Sequence, residues 1–175
     1  MGEWLKCVDC EEEFHFPELL CLYWLGATSE EPSYRSGRWV RVLRTQVWCA
    51  ACNRLSYAER VPSLREFEVA AAVGRMPDQT QLGELSDELL TLADDELLQL
   101  ADGLRDRIVS GACLLCGGRA YLPLELQHGR VRNLRHEACG GEFQHWFSVG
   151  SYIGKREIQW YEFSGKLLHK QSDFF

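Results

Sequence analysis

Between Gln81 and Ser110 the chain places leucine at helical spacing. Leu82, Leu85, Leu89, Leu92, Leu97, Leu100, Leu104 and Ile108 recur every three to five residues, with acidic side chains on the intervening positions. That period puts the apolar residues on one face of a helix and the carboxylates on the other. A weak internal echo, "SDELLTL" followed by "DDELLQL", fits two short helices, the second capped by Asp94. Upstream, Ser63 with Glu66 three residues later has the form of a capping box, and Gly74 closes that stretch. "MPDQT" at 76–80 then reads as a linker.

The outer parts follow a different pattern. "RWVRVLRTQVWC" (38–49) and "LSYAERV" (55–61) are rich in β-branched and aromatic residues, as strands are. "AYLPLELQHGRVRNLRH" reads as two strands about the turn His128-Gly129, and "EIQWYEFSGKLLHKQ" as a hairpin about Ser164-Gly165. The expected fold class is therefore α+β: a β-rich part at 1–62, an acidic helical segment at 63–110 and a second β-rich part at 111–175. The two β-rich parts are expected to pack together.

Charge sharpens this division. Residues 76–110 carry nine acidic and two basic side chains, which matches the net charge of −7 for the whole chain. Six Trp, six Tyr and eight Phe argue for a folded core and against disorder. The longest apolar run, around Leu19–Leu25, is far short of the ~20 residues a membrane helix needs. The start of the chain lacks the pattern of a signal peptide, so the expected location is cytoplasmic.

In a reducing compartment, closely spaced cysteine pairs more often bind metal than form disulfides. Of the eight cysteines, six form three C-x-x-C pairs, Cys7/Cys10, Cys49/Cys52 and Cys113/Cys116. A seventh, Cys139, completes an H-x-x-C pair with His136, and Cys21 is left over within an apolar run. Two ligands separated by two residues suit a tight turn that aims both at one ion, and zinc takes four such ligands in a tetrahedron. The phrase x-x-Cys-Gly-Gly occurs at 116–118 and again at 139–141. Glycine there suits a turn of positive φ beside the sulfur.

Proximity along the chain groups Cys113, Cys116, His136 and Cys139 as one site and Cys7, Cys10, Cys49 and Cys52 as the other. The sequence leaves interleaved pairings open, 7/10 with 113/116 for example. The pattern over residues 111–147 resembles the zinc-ribbon family, two knuckles joined by β-hairpins, with a histidine where the commonest form has a fourth cysteine. The resemblance implies structural zinc at that site and says little about function; the count of eight ligands leads to an expectation of two zinc ions in the chain. Neither Cys10 nor Cys52 is followed by glycine, although Asn53 tolerates positive φ.

Four-ligand sites leave no open coordination position, which speaks against catalysis at zinc. No Walker loop, G-x-S-x-G elbow, H-E-x-x-H or deaminase signature is present. A non-enzymatic binding protein is thus expected. The acidic segment favours a protein partner with a basic surface. One form of this is an immunity protein covering a basic toxin domain, an analogy with small bacterial zinc-binding proteins. The alternative is nucleic-acid binding through Arg35, Arg38, Arg41 and Arg44 interleaved with Trp39 and Trp48, helped by Arg130, Arg132 and Arg135. The acidic centre of the chain weighs against it.

Overall fold

The apolar run becomes the central strand of one sheet. A computed structural model describes residues 2–27, 29–36, 38–63, 65–66, 94–105, 107, 111–148 and 155–174. In it, β1 (Gly2–Cys7), β2 (Glu13–His15), β3 (Leu19–Trp24), β4 (Trp39–Arg41), β5 (Arg44–Cys49) and β6 (Arg54–Glu59) precede the helix α1 (Asp94–Leu104). After it come β7 (Tyr121–Pro123), β8 (Leu126–Gln127), β9 (Arg130–Arg135), β10 (Glu142–Ser148), β11 (Lys155–Tyr161) and β12 (Leu167–Phe174). Strand β3 lies between β11, to which it runs parallel, and antiparallel β4. Burial on both faces explains why its sequence is continuously apolar and does not alternate. Cys21 sits in that strand, buried, and burial pushes its thiol up to about 12.

Among the described residues three sheets result, in the orders β2-β1-β10-β9-β8, β12-β11-β3-β4 and β6-β5-β7. Each combines strands from both ends of the chain. The sharing is achieved by breaks within stretches of uniform strand composition. The 38–49 stretch leaves the four-stranded sheet after Arg41 and enters the three-stranded sheet at Arg44, with Val42 and Leu43 buried at the corner. The 120–136 stretch likewise switches sheets between β7 and β8. The expected turns form: His128 and Gly129 both take positive φ (51° and 73°), as a two-residue I′ hairpin requires. Gly165, at φ 82°, turns the β11–β12 hairpin.

The expected fold class is corrected by these observations. Among the described residues 48% are strand and 9% helical, so the protein is mainly β, and not an α+β fold built around an acidic helical segment. The physical reason is that strand pairing across the chain, and not the helix, organises the core. Helix α1 contributes Leu100 and Leu104, both buried against the main cluster with Tyr23, Val42, Leu43 and Tyr57. Leu98, one position off that stripe, is 66% exposed. The side chains of Leu82, Leu85, Leu89, Leu92, Leu97 and Ile108 lie outside the described residues. The Ser63–Glu66 capping box does form: the Glu66 amide donates to Ser63 Oγ at 3.3 Å, and Glu66 Oε2 accepts from the Ser63 amide at 2.7 Å.

One buried ion pair ties the helix end to the sheets. Arg107 and Glu59 are 8% and 5% exposed in their side chains. Arg107 Nη2 donates to Glu59 Oε2 at 2.5 Å and Nη1 to Oε1, and the Tyr23 hydroxyl also donates to Oε1. Burial alone would lower the Arg107 pKa, but the adjoining carboxylate outweighs it and holds the guanidinium charged. Among the described residues, no helix is long and apolar enough to cross a membrane.

Candidate metal centres

Four turns supply all the predicted ligands, and they share one backbone design. In each, the residue just after the second ligand takes positive φ: Glu11 (63°), Asn53 (49°), Gly117 (73°) and Gly140 (73°). In three of them the amide of that residue donates to the carbonyl of the first ligand, Glu11 to Cys7, Gly117 to Cys113 and Gly140 to His136, at 2.7–3.0 Å. The next residue closes the turn by accepting from the first ligand's amide: Cys7 to Glu12, Cys113 to Gly118 and His136 to Gly141, at 2.8–2.9 Å. The Cys49 turn is closed by the equivalent pairing of Cys49 with Arg54 at the end of the β5–β6 hairpin. The two turns without glycine are therefore built as the others are, with Glu11 and Asn53 accepting the left-handed conformation.

The turns pair in nested fashion, first with fourth and second with third. Cys7, Cys10, His136 and Cys139 form one cluster (cluster 1); Cys49, Cys52, Cys113 and Cys116 form the other (cluster 2). Within each, the four candidate donor atoms lie within 4.8 Å of one another. All eight predicted ligands are thus brought together in fours, but the grouping by proximity along the chain is corrected. Neither Cys7/Cys10 with Cys49/Cys52, nor Cys113/Cys116 with His136/Cys139, shares a cluster.

Strand pairing decides the partners. Strands β1 and β10 pair from Gly2↔Ser148 to Cys7↔Phe143, which carries the Cys7 turn to the turn that precedes β10. Strands β5 and β7 pair at Cys49↔Tyr121, and Ala58 on β6 bridges to Cys113. The entropic advantage of short spacers is small. Closing 126- and 61-residue separations in place of ones near 39 and 20 costs only about 2 kcal/mol in total.

The distances suit a tetrahedral ion. Cys7 Sγ is 3.4 Å from Cys139 Sγ, Cys49 Sγ 3.6 Å from Cys116 Sγ, and Cys52 Sγ 4.0 Å from Cys113 Sγ. With metal–sulfur bonds of ~2.3 Å the edge of a tetrahedron is about 3.8 Å, whereas a disulfide would be ~2.05 Å. His136 Nδ1 lies 3.2 Å from both Cys10 Sγ and Cys139 Sγ.

The electrostatics of the thiols point the same way. In cluster 1 the amide of Cys10 draws the Cys7 thiol down to about 6. Cys139, despite the Gly141 amide, is pushed up to about 11 by its neighbouring thiols. In cluster 2 burial raises Cys113, but the Ser56 hydroxyl, 3.3 Å from its sulfur, and the amides of Cys116 and Leu115 bring it to about 7. Burial and neighbouring thiols raise Cys52 and Cys116. Cys7 and Cys113 are thus drawn toward the thiolate, while burial and neighbouring thiols oppose a second charge at Cys52 and Cys116 and neighbouring thiols do so at Cys139. A divalent cation at the centre balances that charge, so these donors fit a metal.

The doubled glycine has two separate uses. The first glycine of each pair takes positive φ. A Cβ on the second would lie 2.7 Å from Ala51 Cβ at Gly118, and 2.6 Å from Cys7 Sγ at Gly141. Ala51 belongs to the partner turn of cluster 2 and Cys7 to that of cluster 1, so each second glycine makes room for the opposing turn. Gly118→Ala and Gly141→Ala are expected to destabilise the metal-loaded protein by about 1–3 kcal/mol. Each should weaken metal binding at its own cluster alone, as titration with a competing chelator would measure. Glu11→Gly, which relieves a left-handed non-glycine residue, is expected to stabilise by up to about 1 kcal/mol in denaturant unfolding.

Two neighbours of the clusters escaped the sequence: Ser56 beside Cys113, and Glu12, whose Oε2 is 3.2 Å from His136 Nε2. A serine in a strand and one acid in an acidic run give no signal of their own.

Several of the arginines in the two predicted basic groups already have partners within the chain. Arg38 lies over Trp24 at 5.2 Å and pairs with Glu30, Arg44 stacks on Tyr57 at 3.9 Å, and Arg35 and Arg41 are exposed. Trp39 and Trp48 are half-buried. Arg130 and Arg135 both reach Glu142 at 3.0 Å, and Arg132 donates to Gln127. Comparison with protein-family models, curated proteins and solved structures gave no match for this chain.

Proposed function

We propose that the protein is a non-enzymatic protein-binding module held in shape by two structural zinc ions, one in each cluster. The observation that carries the metal half is the closed donor set. Each cluster offers four sulfur or imidazole donors at tetrahedral spacing, the set zinc prefers, and four protein ligands fill its structural coordination. The ligands' role is then to hold β1 to β10 and the β5–β6 hairpin to the Cys113 turn.

A protein partner is favoured over nucleic acid by charge. The chain carries −7 overall, and of its basic groups Arg38, Arg60, Arg107, Arg130 and Arg135 already face carboxylates. A partner with a basic surface suits the acidic residues of 76–110. Consecutive Trp146 and Phe147 on β10, 44% and 67% exposed, supply aromatic side chains of the kind that anchor protein interfaces. An immunity protein covering a toxin domain in the cytoplasm is the specific form of this reading.

Elemental analysis of gently purified protein should return two zinc ions per chain. Co-expression with the product of the adjacent gene should give a complex and, where that product is toxic, restore growth. Neither complex nor rescue would remove the immunity form, and a shift of labelled DNA or RNA at moderate salt would replace it with nucleic-acid binding.

A further inference from the structure

Cluster 1 differs from cluster 2 in one donor, and that donor has two ways to ligate. Imidazole binds metal through either nitrogen, and the bond made by the other nitrogen selects which. Here Nδ1 of His136 faces the sulfurs of Cys10 and Cys139 at 3.2 Å, while Nε2 faces Glu12 Oε2 at 3.2 Å. The ring packs edge-on with Phe14 and tilted against Phe143, at centroid distances of 5.2 and 5.7 Å. Its side chain is only 7% exposed, so an Nε2–H without an acceptor would be left nearly dry.

We propose that Glu12 is a positioning residue for cluster 1: its carboxylate accepts the Nε2–H of His136 and so presents the Nδ1 lone pair to the metal. The inference rests on cluster 1 being a metal site. The turn sets the backbone of Glu12, because its carbonyl accepts from the Cys7 amide at 2.9 Å, while its carboxylate, 57% exposed, lies on the solvent side of the ring. The side chain at this fifth position after the first ligand then reaches across to the opposing turn. The same position is Arg54, Gly118 or Gly141 in the other three turns. Cluster 2, all sulfur, has no ring N–H to satisfy. An acid at this position has a chemical use only opposite an imidazole, and only the Cys7 turn faces one.

The test uses the full chain loaded with zinc alone. Nitrogen-15 spectra of its histidine rings should show His136 protonated at Nε2 and ligated through Nδ1. Chelator competition on Glu12→Ala should show cluster 1 binding zinc about 10- to 100-fold more weakly, with cluster 2 unchanged. Glu12→Gln, which keeps an acceptor without the charge, should recover part of the loss. In a His136→Cys background, where no imidazole remains, Glu12→Ala should have no effect on cluster 1. Ligation through Nε2 in the native chain, or an unchanged affinity in Glu12→Ala, would overturn the proposal. So would an equal loss in both backgrounds, since Glu12 would then act on the turn and not on the ring. A chain that binds no zinc at either cluster would instead sink the two-zinc reading beneath it.

Discussion

Removing zinc from the loaded protein is expected to unfold it. Cluster 1 joins the first strand to the tenth across 126 residues, and cluster 2 joins the β5–β6 hairpin to the turn before β7 across 61. Four cysteines, Cys7, Cys49, Cys113 and Cys21, lie buried in the core, and the first three belong to the two clusters. Without an ion, the ligand thiols face one another with nothing to balance their charge once they ionise. Structural zinc in small peptides contributes apparent free energies of about 10–16 kcal/mol at pH 7. That is comparable to or larger than the whole stability of a typical domain, about 5–15 kcal/mol. Circular dichroism during titration with a strong chelator should therefore lose its β signal as zinc leaves, and regain it when zinc is restored. A chelated chain that keeps its native spectrum and its unfolding midpoint would contradict the structural role of the metal.

Arg107→Ala is expected to be the most damaging change away from the clusters. It leaves the Glu59 carboxylate, 5% exposed, with the Tyr23 hydroxyl but no cation. Breaking a buried pair from one side typically costs about 3–5 kcal/mol, because the remaining charge is stranded in low dielectric. For a chain of this size that corresponds to a fall in melting temperature of roughly 10 °C or more. Replacing both partners, as in Glu59→Leu with Arg107→Met, should recover much of the loss, since the paired charges gain little over a well-packed apolar substitute. Denaturant unfolding of the zinc-loaded variants measures both. A single Arg107→Ala costing under 1 kcal/mol would mean that Glu59 finds water or another partner.

The ligands were legible in the sequence, residue by residue, because a two-residue gap between donors is a local property of a tight turn. Their pairing was not, because it depends on which strands meet, and β1 meeting β10 is decided by packing far along the chain. In the structure the second glycine of each doubled pair, Gly118 and Gly141, lies against the opposing turn of its own cluster. Each such turn pairs with one that lacks the doubled glycine. The strands were partly legible too. Val42-Leu43 and Leu124-Glu125 look like strand interior, yet the chain there switches sheets, and nothing local marks the corner. The leucine stripe overstated the helix's place in the fold: only Leu100 and Leu104 are seen to enter the core, while strand pairing organises the rest.

The nested pairing can be tested through the kind of donor each substitution removes. Cluster 1 is three sulfurs and one nitrogen, and cluster 2 is four sulfurs. Cobalt substituted for zinc has absorption that distinguishes the two donor sets. The nested arrangement predicts that Cys7→Ser abolishes the sulfur–nitrogen site and leaves the all-sulfur site, while Cys113→Ser does the reverse. If Cys7→Ser instead abolished the all-sulfur site and left the sulfur–nitrogen one, the Cys7 turn would pair with the Cys49 or the Cys113 turn and the nested arrangement would be contradicted.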